Sequence, residues 1–228
     1  MTTVVLVHGA FHDAWCWERV RSALDDRGVA NLALDLPFGG LDADAGAVGA
    51  LLDAVDGPVV LCGHSYGGMV ISRAASGRDD VEHLVYLCAV QVVDDAEMAE
   101  SFTATRLVEH LLPGDDGGMS VNPDFAIECF YHDCDPELAA AAVERLRPMG
   151  MGITATDAPD VVPPPPAWMQ IPSTYVVCTD DRTIDADSQR KMATHANIVV
   201  EWDTSHSPML SQPDLVADLL MGLAGGAS

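Results

Sequence analysis

Positive charge is scarce in this chain of 228 residues: eleven lysines and arginines stand against thirty-five aspartates and glutamates, a net charge of −24. Lys191 is the only lysine. Such a surface repels phosphate backbones and anionic headgroups, so neither nucleic acid nor a membrane surface is expected as a partner. The excess acid reads as solubility rather than as a site. Long apolar runs are also missing. No stretch approaches the length that spans a bilayer, and the opening strand-like run Val4-Val5-Leu6-Val7 carries no basic leader or cleavage pattern, so a cytoplasmic location is expected. The six cysteines do not form a metal pattern. Cys62, Cys88 and Cys178 fall in expected core strands, where a thiol behaves as a small hydrophobe. Cys129 and Cys134 lack a second Cys/His pair nearby, so neither zinc nor a disulfide framework is expected.

Strand and helix patterns alternate through the first part of the chain. Continuous apolar runs at 4–8, 31–36, 59–62 and 84–89 read as strands buried on both faces. Helix patterns lie between them at 17–26, 46–55 and 69–75. This alternation implies right-handed βαβ crossovers and a parallel sheet. The rhythm breaks over 92–168, where no strand pattern is evident. Helix patterns appear there at 95–112 and 136–147, the second opened by Asp135 at the N-cap and Pro136 at N1. The prolines at 163–166 form a stiff connector. Strands at 173–179 and 198–202 and helices at 188–195 and 214–223 then resume the rhythm. The expected organisation is an α/β core of residues 1–91 and 169–228, with a helical insertion at 92–168 too long for a plain loop.

Chemistry concentrates around Gly63-His64-Ser65-Tyr66-Gly67. A strand turning sharply into a helix can leave one side chain proud of the sheet, and glycines two positions either side avoid Cβ clashes. The run follows Val59-Val60-Leu61-Cys62 and precedes Gly68-Met69-Val70-Ile71, the strand–turn–helix context of a nucleophile elbow. Ser65 is the candidate nucleophile, next to the positive end of the helix. It needs a base, and His206, in the loop after 198–202, is the candidate. Asp180 and Asp181 end the strand at 173–179, and Asp181 is preferred as the acid that orients His206. Asp180 reads better as a solvated cap residue. The amides of Tyr66 and Ala10 are the candidate oxyanion donors. His8 and His64 read as structural. His83, His110, His132 and His195 fit surface or packing roles, and His12 is open between structure and site. No metal or organic cofactor is required.

The segments VVLVHGAFHDAWCW (4–17), GHSYGGMV (63–70), STYVVCTDDRTI (173–184) and SHSPMLSQP (205–213) together resemble the α/β-hydrolase branch of plant methyl esterases, hydroxynitrile lyases and bacterial esterase relatives. The resemblance implies an α/β-hydrolase fold: a mainly parallel sheet flanked by helices, with a helical cap inserted between late strands. It also implies a triad of Ser65, Asp181 and His206 with Ala10 and Tyr66 as oxyanion amides, and it favours Asp181 over Asp180. It covers the sheet domain and is faint across 92–168.

Departures from the branch narrow the activity. Lyases of this type carry threonine where this chain has Gly9, and lysine where it has Ser207, so cyanohydrin cleavage is disfavoured. Asp13 stands where relatives usually have glycine. The expected function is a serine carboxylesterase acting on a small-to-medium, largely apolar ester through an acyl-enzyme on Ser65. The alternatives are an eliminating lyase of the same fold with His206 as base, and a non-catalytic ligand receptor. Met98, Phe102, Phe125, Phe130, Tyr131, Met149, Met151 and Trp168 supply apolar surface in the insertion. Phe11, His12, Phe102, Phe130 and Trp168 are the candidate substrate contacts. The expected partner is a small-molecule substrate, and the oligomeric state is open, a homodimer included.

Overall fold

The computed structural model describes residues 1–91, 106–114, 118–150 and 164–225. Phe102, Met98 and Met151 therefore lie outside the described residues, as does much of the helix pattern at 95–112. Six parallel strands form the main sheet. They are β1 (Thr3–Val7), β2 (Asn31–Leu34), β3 (Val59–His64), β4 (Val81–Leu87), β8 (Ser173–Cys178) and β9 (Ile198–Trp202), in the order β2-β1-β3-β4-β8-β9. The inner strands β3 and β8 are buried at every position, as unbroken apolar runs require when helices cover both faces. The edge strand β9 leaves Ile198 and Val199 exposed.

Winding direction decides where the helices go. The chain moves from β1 to β2 on one side, then returns past β1 to β3 and continues the other way. Because such crossovers are right-handed, α1 (Glu18–Asp26) lies on the face opposite α2 (Leu41–Asp53) and α3 (Gly67–Ala74). α1 packs on the C-terminal helix Pro213–Gly225, and α2 packs on α3. Arg27 joins α1 to that helix by ion pairs to Asp214 and Asp218. The switch point between β1 and β3 lies at the carboxyl ends of these strands, the place where open α/β sheets bind their ligands.

Three local expectations change. Helix α2 starts at Leu41 rather than near 46, with Gly40 at its N-cap and Asp42 and Asp44 in its first turn. Gly46 and Gly49 inside it weaken the apolar period. The helix pattern ending at 112 gives way to a 3-10 turn, Arg106–His110, and a strand. That strand, β5 (Leu111–Pro113), joins β6 (Gly118–Val121) and β7 (Met149–Gly150) in a small antiparallel sheet. Strands this short show no usable alternation, so the insertion is not helical throughout. Among the described residues its helical elements include the turn Pro123–Ala126, a π-helical turn Ile127–Tyr131 and α4 (Pro136–Glu144). Asp135 caps α4 by accepting from the amides of Glu137 and Leu138.

Backbone crowding at the β3–α3 turn generates a first prediction. A methyl group added at Gly67 would sit 2.7 Å from the Val7 carbonyl oxygen and 2.8 Å from that of His8. Gly67→Ala is expected to lower stability by roughly 1–3 kcal/mol in urea unfolding. At Gly46 an added methyl meets nothing within 4 Å, so Gly46→Ala is expected to raise stability by roughly 0.4–1 kcal/mol in the same assay.

Candidate active site

Ser65 occupies the turn between β3 and α3 with φ of 52°, a left-handed conformation that non-glycine residues rarely adopt. Backbone density leaves no room around it. A methyl at Gly63 would lie 2.5 Å from the Gly67 carbonyl oxygen, and one at Gly9 would lie 2.8 Å from Ser65 Cβ. The strained backbone is held on both sides: the Ser65 amide donates to the Leu87 carbonyl, and its carbonyl accepts from the Val90 amide. Tyr66 follows at the start of α3, and its hydroxyl donates to Asp44 Oδ2 at 2.7 Å. Burial raises the Asp44 carboxyl above its ordinary range, and burial also raises the Tyr66 phenol.

His206 and Asp181 meet. His206 Nδ1 donates to Asp181 Oδ2 at 2.6 Å, and both side chains are buried. Fixing the proton on Nδ1 leaves Nε2 as the basic nitrogen. The carboxylate is held in turn. Its Oδ1 accepts from the amides of Thr183 (2.7 Å) and Ile184 (3.0 Å), and Oδ2 accepts from Gln189 Nε2 at 2.8 Å. Gln189 is fully buried, and its Oε1 accepts from the Cys178 amide at the end of β8. It is a positioning residue the sequence reading passed over; the clue is a polar side chain on the buried face of the helix Ala186–Ala193. Asp180 instead points outward and pairs with His132 at 3.0 Å.

The loop bearing His206 folds back over β3. His64 Nε2 donates to the His206 carbonyl at 2.7 Å, and the Cys88 thiol donates to the same oxygen at 3.4 Å. The rings of His64 and His206 lie 4.7 Å apart. This brings His206 beside the residue that precedes Ser65. His64, Cys88 and His206 are also the group among the described residues whose potential metal-ligand atoms cluster, within 4.8 Å. Their hydrogens are committed to the bonds just given.

The remaining candidates separate. His8 is structural: Nδ1 donates to the Gly9 carbonyl and Nε2 accepts from the Leu36 amide. His12 is also saturated, since Nδ1 donates to the Ala10 carbonyl at 2.7 Å and Nε2 accepts from the Tyr131 hydroxyl at 2.8 Å. No ring nitrogen is left for a substrate, so His12 supports the Ala10 loop instead. Phe11 adopts φ of 64° and packs into the core. Phe130 lies 5.8 Å from the His206 ring and 5.3 Å from that of His12. Trp168 is a correction. It stacks on His195, beside the amino end of β8 where Asn197 bonds Ser173, and so sits at the end of the sheet opposite Ser65.

Comparison with known proteins agrees with this architecture. The pattern described as the alpha/beta hydrolase family matches residues 4–219. A curated relative from Aspergillus novofumigatus, named alpha/beta hydrolase nvfD, is 32% identical over 182 residues, covering 74% of this chain and 71% of the relative. Methylesterase 2 of Arabidopsis thaliana is 29% identical over 96% of this chain and 95% of its own length. Among solved structures, a pyrethroid hydrolase from Sphingobium faniae superposes with a TM-score of 0.81 at 24% identity, covering 99% of this chain and 98% of that one.

The buried histidines make stability depend on pH. Desolvation lowers His8 to about 4 and His12 to about 3, and drives His64 well below its ordinary value. Their unfolded counterparts titrate near ~6.5, so between that value and the folded ones the unfolded chain binds more protons. Stability contributed by these groups is therefore present above ~6.5 and is lost as pH falls toward ~4. Unfolding at pH ~5.5 is expected to take up roughly three protons, read from the buffer dependence of the calorimetric enthalpy. An uptake near zero contradicts the burial argument.

Proposed function

The chain belongs to the alpha/beta hydrolase family as an esterase-type enzyme, and from that premise we propose that it hydrolyses a small-to-medium, largely apolar ester through an acyl-enzyme on Ser65. The buried 2.6 Å bond between His206 and Asp181, at the same end of the sheet as the Ser65 turn, is the observation that carries this reading. His206 Nε2 takes the Ser65 proton as Oγ attacks the ester carbonyl, and returns it to the departing alkoxide. Water then attacks the acyl-enzyme with His206 again as base, which releases the acid and restores Ser65. Asp181 holds the imidazole in the tautomer that leaves Nε2 free and stabilises its charged form.

Negative charge on the carbonyl oxygen falls to the amides of Ala10 and Tyr66 in this scheme. Support for Ala10 comes from His12, which grips its carbonyl and so sets the orientation of the loop. Support for Tyr66 comes from its anchored hydroxyl and its place at the start of α3. Residues 92–168 act as a cap over the core of 1–91 and 169–228. The Phe130 ring lies 5.8 Å from that of His206, an apolar neighbour of the base that fits a substrate with little charge. The curated relatives include several named methylesterases, so methyl esters are the substrates to try first.

An organophosphonate followed by mass spectrometry is expected to label Ser65. An active enzyme that stays unlabelled would overturn the acyl-enzyme. Ser65→Ala and His206→Ala are each expected to cost roughly 10⁴-fold or more in turnover. Substantial turnover by Ser65→Ala would favour elimination with His206 as base.

A further inference from the structure

Five consecutive residues of the insertion, 129–133, reach three of the four loops of the proposed site, those after β1, β8 and β9. The chain is a π-helical turn at this point, and carbonyls of a last helical turn lack intrahelical donors. Two of them find donors beside the proposed acid and base. The Cys129 carbonyl accepts from Thr183 Oγ1 at 3.1 Å, two residues past Asp181. The Phe130 carbonyl accepts from Ser205 Oγ at 3.2 Å, one residue before His206. Asp133 Oδ2 accepts from the Ser205 amide at 2.9 Å, and His132 pairs with Asp180. Tyr131 donates to His12, which in turn holds the Ala10 carbonyl.

The three loops need such a tie. They leave β1, β8 and β9, and β3 and β4 stand between β1 and β8. The acid and base loops are bonded to each other past the strand ends, by the Asp180 amide to the Thr204 carbonyl and by His206 to Asp181. No ladder sets the loop after β1 against them across the two intervening strands. A single compact turn touching all three can.

We propose that the turn 129–133 is a positioning element of the catalytic machinery, aligning the acid, base and oxyanion loops, with Tyr131 and Ser205 as its principal positioning residues. The inference rests on the reading of Ser65, Asp181 and His206 given above. Neither positioning residue needs to touch substrate, so their loss acts on turnover rather than on binding.

Tyr131→Phe, Ser205→Ala and Thr183→Val are assayed singly in the full chain with an activated short-chain aryl ester. His206→Ala and Ser65→Ala are run beside them. Tyr131→Phe and Ser205→Ala are each expected to lower kcat about tenfold with KM little changed, because a small misalignment costs rate. The rate of organophosphonate labelling at Ser65 falls in parallel. Thr183→Val loses activity and Thr183→Ser, which keeps the hydroxyl, restores it. A change confined to KM would assign these residues to substrate binding and overturn the proposal. A lowered melting temperature with unchanged kcat in the folded protein would reduce them to scaffold and also overturn it. Should Ser205→Ala fail to fold, Tyr131→Phe decides. Retained activity in His206→Ala and Ser65→Ala would defeat the parent reading itself, whereas loss there with intact Tyr131→Phe and Ser205→Ala defeats only the positioning role.

Discussion

The close approach of β1, β3 and α3 around Ser65 is the constraint on which the rest of the molecule depends. At Gly63 and Gly67 an added methyl would fall 2.5 and 2.7 Å from backbone oxygen, inside contact distance. Such packing is possible only where side chains are absent. It forces the intervening serine into a left-handed backbone, and it sets the start of α3 beneath the carbonyl ends of β1. The reversal of winding between β1 and β3 falls at this same point, so strain, helix terminus and topological switch point coincide.

Polar accounting around the histidine pair shows how far the structure goes to fix a few atoms. Both oxygens of Asp181 are taken, by two amides, a buried glutamine amide and the imidazole. The His206 carbonyl is held by His64 and Cys88. Buried groups of this kind cost free energy unless their donors and acceptors are used, and in this network His64 Nδ1 is left without a hydrogen-bond partner among the described residues. His8, His12 and His64 stay neutral because burial penalises their charged forms. They act as shaped hydrogen-bonding spacers, which keeps positive charge away from His206, the proposed base.

The acidity of the chain belongs to a different level. Four of the ten arginines pair with acids near the surface, Arg27 with Asp214 and Asp218, Arg73 with Asp42, Arg78 with Asp53 and Asp80, and Arg190 with Asp187 and Glu201. Such pairs contribute little to stability. Asp181 and Asp44 differ from these surface acids in being buried against their partners, His206 and Tyr66. Net charge therefore describes the solvent face of the protein and says nothing of the site around Ser65.

The sequence by itself determined the architecture and the elbow. Long buried strands, glycines flanking Ser65 and the order of Ser65, Asp181 and His206 are local or ordered signals, and they survive folding unchanged. His206 pairs with Asp181, the aspartate preferred from position, while Asp180 pairs with His132. What only the tertiary structure decided are matters of long-range contact. The small sheet of β5, β6 and β7 is too short to leave a period. Gln189 and Tyr131 carry no motif, and Thr183 and Ser205 lie inside recognisable segments without their contacts being legible, because the partners sit on distant segments: Tyr131 with His12, Ser205 with Phe130, Thr183 with Cys129. Trp168 read as a roof residue on composition, yet the direction of β8 carries it to the far end of the sheet. A side chain's chemistry is written at its own position, but the identity of its neighbours is set by how strands are ordered and which way they run.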